Sequence, residues 1–375
     1  MAEIFTRGDI LQNSGGVVPM GRMVPFQVTH RDGELRDSYL PALGLFGTAG
    51  KKGEVNDWRG DVMPMIRDGL EEVLTFGVEV FNPLKDDWTP DDAVVEARHL
   101  ARDGAIILPV LDSTSGYASL AETGFAALGG TLRPQSVRML IEEGIGHGEQ
   151  VQRARLLAKM LARKALNDFH FNTRIAKTME DLVRGGVSDI IEFVETVNSR
   201  VSKEVTFRVE HNVSLEPTIC LVGSGAEVQA GSWYSGMQSR LDTLGVSVGD
   251  IYAAQKTNWS EEDAYTELHH KTSDAVVLFV VTEEQASFGA MGELGWLVAY
   301  CVTNGQKLGV YVERHASDPK SDENRQRLLA MSHLGKQLMD FPDLPVFVAN
   351  SPEELALYGA SELAKYKQIK SALTS

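Results

Sequence analysis

Cysteine is nearly absent: Cys220 and Cys301 are the only two in 375 residues. That excludes a disulfide framework and any zinc-type cysteine spacing. Cys220 falls in an apolar run that reads as a strand and Cys301 in one that reads as a helix, so both are expected as small core residues. Positive charge is also short. Lys and Arg number 36 against 52 Asp and Glu, a net charge of -16, and a groove that tracks a nucleic-acid backbone needs the opposite balance. Polymeric nucleic acid is thus not an expected partner, while a local basic pocket for one small anion stays open. Long hydrophobic runs are missing; Ala275 to Val281 is among the longest and is far too short to span a bilayer. The opening Met-Ala-Glu-Ile-Phe-Thr-Arg-Gly-Asp has no apolar core of a signal peptide. No membrane association is expected, and a cytoplasmic location is. Walker, G-x-S-x-G and metal-ligand spacings are missing too, so neither a cofactor nor a metal is expected.

What the chain does contain is itself, twice. Placing Trp88 over Trp259, an offset of 171, also pairs Ala93 with Ala264, Glu96 with Glu267, His99 with His270 and Asp103 with Asp274. Without a gap the same offset pairs Glu122 with Glu293, Gly124 with Gly295 and Glu142 with Glu313. Upstream, Gly47 matches Gly223 and Trp58 matches Trp233; downstream, Arg155-Leu-Leu matches Arg327-Leu-Leu and Thr178-Met-Glu-Asp-Leu matches Ser351-Pro-Glu-Glu-Leu. Small drifts in offset are what loop insertions produce, and a repeat of this length means two copies of one domain.

Each copy alternates apolar strands with helical segments, the pattern of a parallel sheet with right-handed crossovers. Strands are expected at Leu43 to Phe46, Val78 to Phe81, Ala105 to Leu111 and Val137 to Ile141. Their counterparts are Ile219 to Val222, Asp250 to Ala253, Ala275 to Val281 and Leu308 to Val312. Helices are expected to start near Thr89 and Ser260, each an N-cap with acids in the first turn. The expected architecture is two tandem Rossmann-like or flavodoxin-like α/β domains. Residues 1–42 form an N-terminal extension, 43–198 the first domain and 217–375 the second.

Open parallel sheets bind ligands outside the carboxyl ends of their strands. Two loops fall there in each copy. The first holds Gly47, Thr48 and Gly50 in copy one and Gly223 and Ser224 in copy two. Such glycines let backbone N–H groups approach an anion, and Lys51, Lys52 and Arg59 make copy one the better phosphate site. A tight turn without ligand is the competing reading. The second loop runs from Asp112 through Ser115 and Gly116 to Glu122, matched by Glu283, Ser287 and Glu293. A carboxylate among small and apolar helix residues needs a partner, a shifted pKa or a ligand. Interaction with the helix dipole is the alternative, but identical flanking glycines in both copies favour a site. Glu96, His99 and Asp103, repeated as Glu267, His270 and Asp274, can orient a base or supply a proton, or simply cap their helices. Trp88 and Trp259 can stack on a planar base or cover the core.

These residues resemble the nucleoside 2-deoxyribosyltransferase family. The resemblance rests on Leu45 to Gly50, on the strand ending at Asp112, and on Ser115-Gly116…Glu122-Thr-Gly124-Phe-Ala126 with its counterpart Ser287-Phe-Gly-Ala-Met-Gly-Glu293-Leu-Gly295-Trp296. It implies that Glu122 and Glu293 attack C1′ of the sugar of a (deoxy)nucleoside or nucleoside 5′-monophosphate. It makes Asp103, Asp112 and Asp274 candidate acids or base-orienting groups. The family commonly carries an aspartate six residues before the glutamate; here those positions are Gly116 and Ser287, and Glu283 replaces Asp112 in copy two. One copy or both are therefore expected to be altered, and a non-catalytic nucleotide sensor is the alternative function. Oligomers with sites near subunit contacts are usual in the family, which implies an intramolecular pseudo-dimer here, open to further homo-oligomerisation.

Overall fold

The computed structural model describes residues 26–29, 35–48, 58–71, 78–84, 88–133, 135–169, 171–196, 212–224, 232–253, 260–283, 288–313 and 321–374. Copy one comprises β1 (Phe26–Thr29), β2 (Leu35–Leu45), α1 (Trp58–Glu71), β3 (Glu79–Phe81), α2 (Pro90–Arg102), β4 (Asp103–Val110), α3 (Tyr117–Leu132), β5 (Ser136–Ile141), α4 (Glu149–Asp168), β6 (Thr173–Ile175) and α5 (Met179–Thr196). Copy two comprises β7 (Glu216–Gly223), α6 (Trp233–Thr243), β8 (Ile251–Ala253), α7 (Glu261–Ser273), β9 (Asp274–Val281), α8 (Phe288–Asn304), β10 (Lys307–Val312), α9 (Asp322–Asp340), β11 (Val346–Val348) and α10 (Pro352–Thr374).

The two sheets share one strand order. Copy one runs β3-β2-β4-β5-β6 and copy two β8-β7-β9-β10-β11, and every neighbour in both is parallel. This is the doubly wound order whose switch point lies between the first and third strands of each copy. The central strands β4 and β9 are buried at every position, as their unbroken apolar runs require. Both helices before them begin in a capping box, Thr89 with Asp92 and Ser260 with Asp263. The first sheet starts earlier than Leu43. Leu35 already belongs to β2, and β1, inside the expected extension, pairs antiparallel with its first half.

Helices α3 and α8 are apolar almost all round, with Leu120 to Leu128 and Met291 to Val302 buried, because each lies between two layers. They pack on each other, and residues meet their own repeat counterparts. Tyr117 stacks on Phe288 at 5.1 Å. A Cβ on Gly124 would stand 2.0 Å from the Trp296 nitrogen, and one on Gly295 would stand 2.0 Å from the Ala121 oxygen. Trp296 Nε1 donates to Thr123 Oγ1 at 2.6 Å. One apolar cluster joins both sheets through these helices, while separate clusters fill the outer face of each copy. Self-complementary contact of this kind is the signature of two-fold packing, so the chain folds as an internal pseudo-dimer. The flanking glycines of the two glutamates thus have a structural cause in helix contact, which corrects their use as a mark of function. Among the described residues no helix is long and apolar enough to cross a membrane.

Candidate active site

At the carboxyl edge of each sheet the glycine turn is stitched to the central strand. Gly47 has φ 101°, and a Cβ there would meet the Pro109 oxygen at 2.3 Å. Thr48 N donates to Pro109 O at 2.8 Å, and Thr48 Oγ1 accepts from Leu111 N at 2.8 Å. Ser224 repeats both bonds, to Val280 O and from Thr282 N, beside Gly223 at φ 155°. Arg59, expected near a phosphate, instead donates to the carbonyls of Leu45, Gly47 and Thr48. Trp58 and Trp233 donate to Thr48 O and Ser224 O. These contacts tie the described residues of each turn, Gly47 and Thr48 or Gly223 and Ser224, to the protein itself.

Asp112 serves its own loop. Its carboxylate accepts from Arg155 Nη1 at 2.6 Å and from Gly144 N at 2.5 Å. The wholly buried Arg155 also donates to the carbonyls of Leu111, Thr114 and Ser115. Gly116 opens α3 in the left-handed region at φ 61°. Arg327, the counterpart of Arg155, donates to Thr282 O, Glu313 O and Glu323 Oε1.

Asp103 and Asp274 are not brought to the glutamates. They open β4 and β9 at the amino end of each sheet, and seven strand steps, roughly 23 Å, separate Asp103 from Val110 at the carboxyl end. Asp103 bonds His99 Nδ1 at 2.9 Å, and that ring stacks on Phe81 at 3.5 Å. Asp274 bonds His270 Nδ1 at 3.1 Å, and that ring stacks on Tyr252 at 3.7 Å. Burial pushes the Asp103 carboxyl up to about 6 against the pull of His99. The Glu-His-Asp trio therefore divides: the helix carries Glu96 towards Glu122, while the His–Asp pair braces the opposite end.

Around Glu122 and Glu293 the copies diverge. Glu293, Glu267 and Lys271 form a buried ion cluster. Lys271 donates to Glu293 Oε2 and lies 3.3 Å from Glu267 Oε2. Arg153, from copy one, bonds Glu267 Oε1 at 2.8 Å. Burial pulls the Lys271 ammonium down, but Glu293 and Glu267 outweigh it and hold it above its ordinary value, hence charged. The repeat counterpart of Lys271 is Leu100, an apolar residue of the core cluster.

Glu122 is 95% buried as a residue and accepts no hydrogen bond from any described residue; the cation-forming group found near it among them is His333 Nε2 at 3.7 Å, on α9 of copy two. Neither nitrogen of that buried imidazole has a hydrogen-bond partner among the described residues. Beside them, Glu96 accepts from Trp88 Nε1 at 2.7 Å, and the Arg325 guanidinium, again from α9, lies 4.6 Å over the Trp88 ring. Burial, with the Glu122 charge next, pushes Glu96 up to about 8, so it holds a proton at neutral pH. The geometry thus sets a protonated carboxyl, Glu96, beside the carboxyl of Glu122 in copy one. A proton donor next to a second carboxyl suits acid and nucleophile roles.

Trp88 is therefore part of the cluster, with one face covered by Arg325. Gly50, Lys51, Trp259 and Ser287 lie outside the described residues. Arg325, His333 and Lys271 were not singled out from the sequence, whereas Glu96 was, as a group able to orient a base or supply a proton. A signal for Lys271 existed in the repeat, where a lysine aligns with a leucine. The two cysteines are buried, and burial pushes both thiols up, which removes them as nucleophiles at neutral pH. No family model, curated protein or solved structure matches the chain.

Proposed function

We propose that the chain is an N-glycosyl enzyme that cleaves or transfers the base of a (deoxy)nucleoside or nucleoside 5′-monophosphate, with copy one as the reacting half. The observation that carries this reading is the contrast between the glutamates: Glu293 is locked to Lys271, whereas among the described residues Glu122 has no ion-pair partner closer than His333 at 3.7 Å. In this reading a Glu122 oxygen bonds C1′ as the N-glycosidic bond breaks, and the departing base takes the proton of Glu96. Water or a second base then resolves the glycosyl-enzyme. Copy two supports the site through Arg325 and His333.

The test is release of free base from ribo- and deoxy-nucleosides and their 5′-monophosphates, followed by chromatography with and without an acceptor base. Glu122→Gln is expected to lower the rate at least ~1,000-fold, the scale on which loss of an essential group acts. Glu293→Gln is expected to keep turnover. Equal loss in both variants counts against a single reacting copy. A second reading, a nucleotide sensor, draws on Asp112 being committed to Arg155 and so not available to assist a leaving base. Tight binding by calorimetry with no base released from any substrate would favour it.

A further inference from the structure

At the amino end of the second sheet, opposite the glutamate edge, lies a cluster the proposed reaction does not use. Glu216 opens β7 in register with Asp274, the first residue of β9, and His270 stands in the last turn of α7 with His269 just before it. One ligand atom each of Glu216, His270 and Asp274 lies within 4.8 Å of the other two. His269 Nε2 stands 3.1 Å from Glu216 Oε1.

Copy one is an internal control. Its His99–Asp103 pair, stacked on Phe81, repeats His270–Asp274 on Tyr252, so the pair and its stack belong to the fold. Two neighbouring positions differ. Leu40 occupies the register of Glu216, and Arg98 aligns with His269. Both changes, an apolar residue and a cation in copy one, introduce metal donors in copy two.

We propose that Glu216, His270 and Asp274, with His269 able to join them, bind one borderline divalent cation of the Zn²⁺, Co²⁺ or Ni²⁺ class. Imidazole with carboxylate is the donor set such ions take, and an all-oxygen set for Ca²⁺ or Mg²⁺ is not present. Ligands on one ion at ~2.1 Å stand at most ~4.2 Å apart, so the cluster needs to contract by only about half an ångström. As the ion enters, the proton between His270 and Asp274 leaves to solvent, and imidazole nitrogen and carboxylate both turn to the metal. Asp274 is wholly buried, while Glu216 and His269 are part exposed and give the ion a way in. The bound ion clamps the first residue of β7 to the central strand β9 and to α7.

The experiment is calorimetric titration of the EDTA-treated full chain with Zn²⁺, alongside Co²⁺ titration followed by visible absorption. The expected result is one ion per chain, Co²⁺ bands of a bound N/O site, and a melting temperature that rises with Zn²⁺ and falls back with EDTA. Glu216→Leu with His269→Arg, the residues copy one carries, is expected to weaken binding at least tenfold. Glu216→Gln preserves shape and serves if the double variant does not fold by circular dichroism. No saturable uptake by the wild type, or uptake unchanged by these substitutions, overturns the proposal. Base release plays no part in the readout.

Discussion

Two glutamates at equivalent positions, Glu96 and Glu267, show how one neighbour sets a proton. Glu267 meets two cations, Lys271 at 3.3 Å and Arg153 at 2.8 Å. Glu96 meets an indole N–H and the charge of Glu122, and burial pushes it up to about 8. The native state therefore keeps a proton that an ordinary carboxyl, near 4.5, gives up on unfolding. Stability from this group is complete below about pH 4.5 and is lost as pH rises through about 8, at a slope of about 1.4 kcal/mol per pH unit between them. Glu96→Gln keeps the shape and cannot ionise. Urea unfolding at pH 5 and pH 9 should show the variant gaining on the wild type by a few kcal/mol at the higher pH; parallel curves would mean that Glu96 is ionised in the fold. In the proposed reaction the same proton is the one the base takes. The base-release rate should fall above about pH 8 in the wild type, and that basic limb should vanish in the slower Glu96→Gln enzyme.

At the scale of elements, the fold rests on the contact of α3 with α8, where two backbones touch at Gly124 and Gly295. A methyl at residue 124 has backbone 2.0 Å away on the facing helix, so the helices must part. Gly124→Ala is expected to cost about 3 kcal/mol or more, the upper end of overpacking. Gly289→Ala, in the first turn of α8, is the control: among the described residues its methyl meets only the Ala154 Cβ at 3.6 Å, so stability is expected to change by less than ~1 kcal/mol. Equal stability of Gly124→Ala and wild type in urea would contradict the helix contact. The strands and capped helices were legible because each follows from local pattern: unbroken apolar runs for β4 and β9, and Thr89 and Ser260 ahead of acidic first turns. The division of the Glu-His-Asp trio was not legible. Spacings of three and four suggest one helix face, but the helix ends at Arg102, and the last member points its chemistry to the far end of the sheet. Nor does a single sequence separate a glycine kept for a ligand from one kept for a neighbouring helix.

The whole molecule is a dimer written into one chain, and that explains why its decisive site residues escaped a reading of each copy alone. Arg325 and His333 come to the copy-one glutamates from α9, and Arg153 comes to Glu267 from α4, so each site is completed across the interface. Two identical chains in such an arrangement carry two identical sites. A fused pair is free of that constraint, and around the glutamates the aligned positions Leu100/Lys271 and Leu161/His333 are two places where this chain departs from symmetry. The interface itself stays self-complementary, with Tyr117 on Phe288 and Gly124 against Gly295. Copy two expressed alone, from residue 212 onward, exposes the α8 face that carries Phe288, Gly292, Gly295 and Trp296 against α3. Because that face fits its own counterpart, the fragment is expected to pair with itself, and light scattering should give about twice the fragment mass. Co-expressed with residues 1–211, it should instead form a one-to-one complex, since only that pairing places Arg325 over Trp88 and His333 beside Glu122. A monomeric, fully folded fragment would show that the shared core is dispensable. Base release restored by the complex and missing from either fragment would tie the proposed activity to the pairing of the halves.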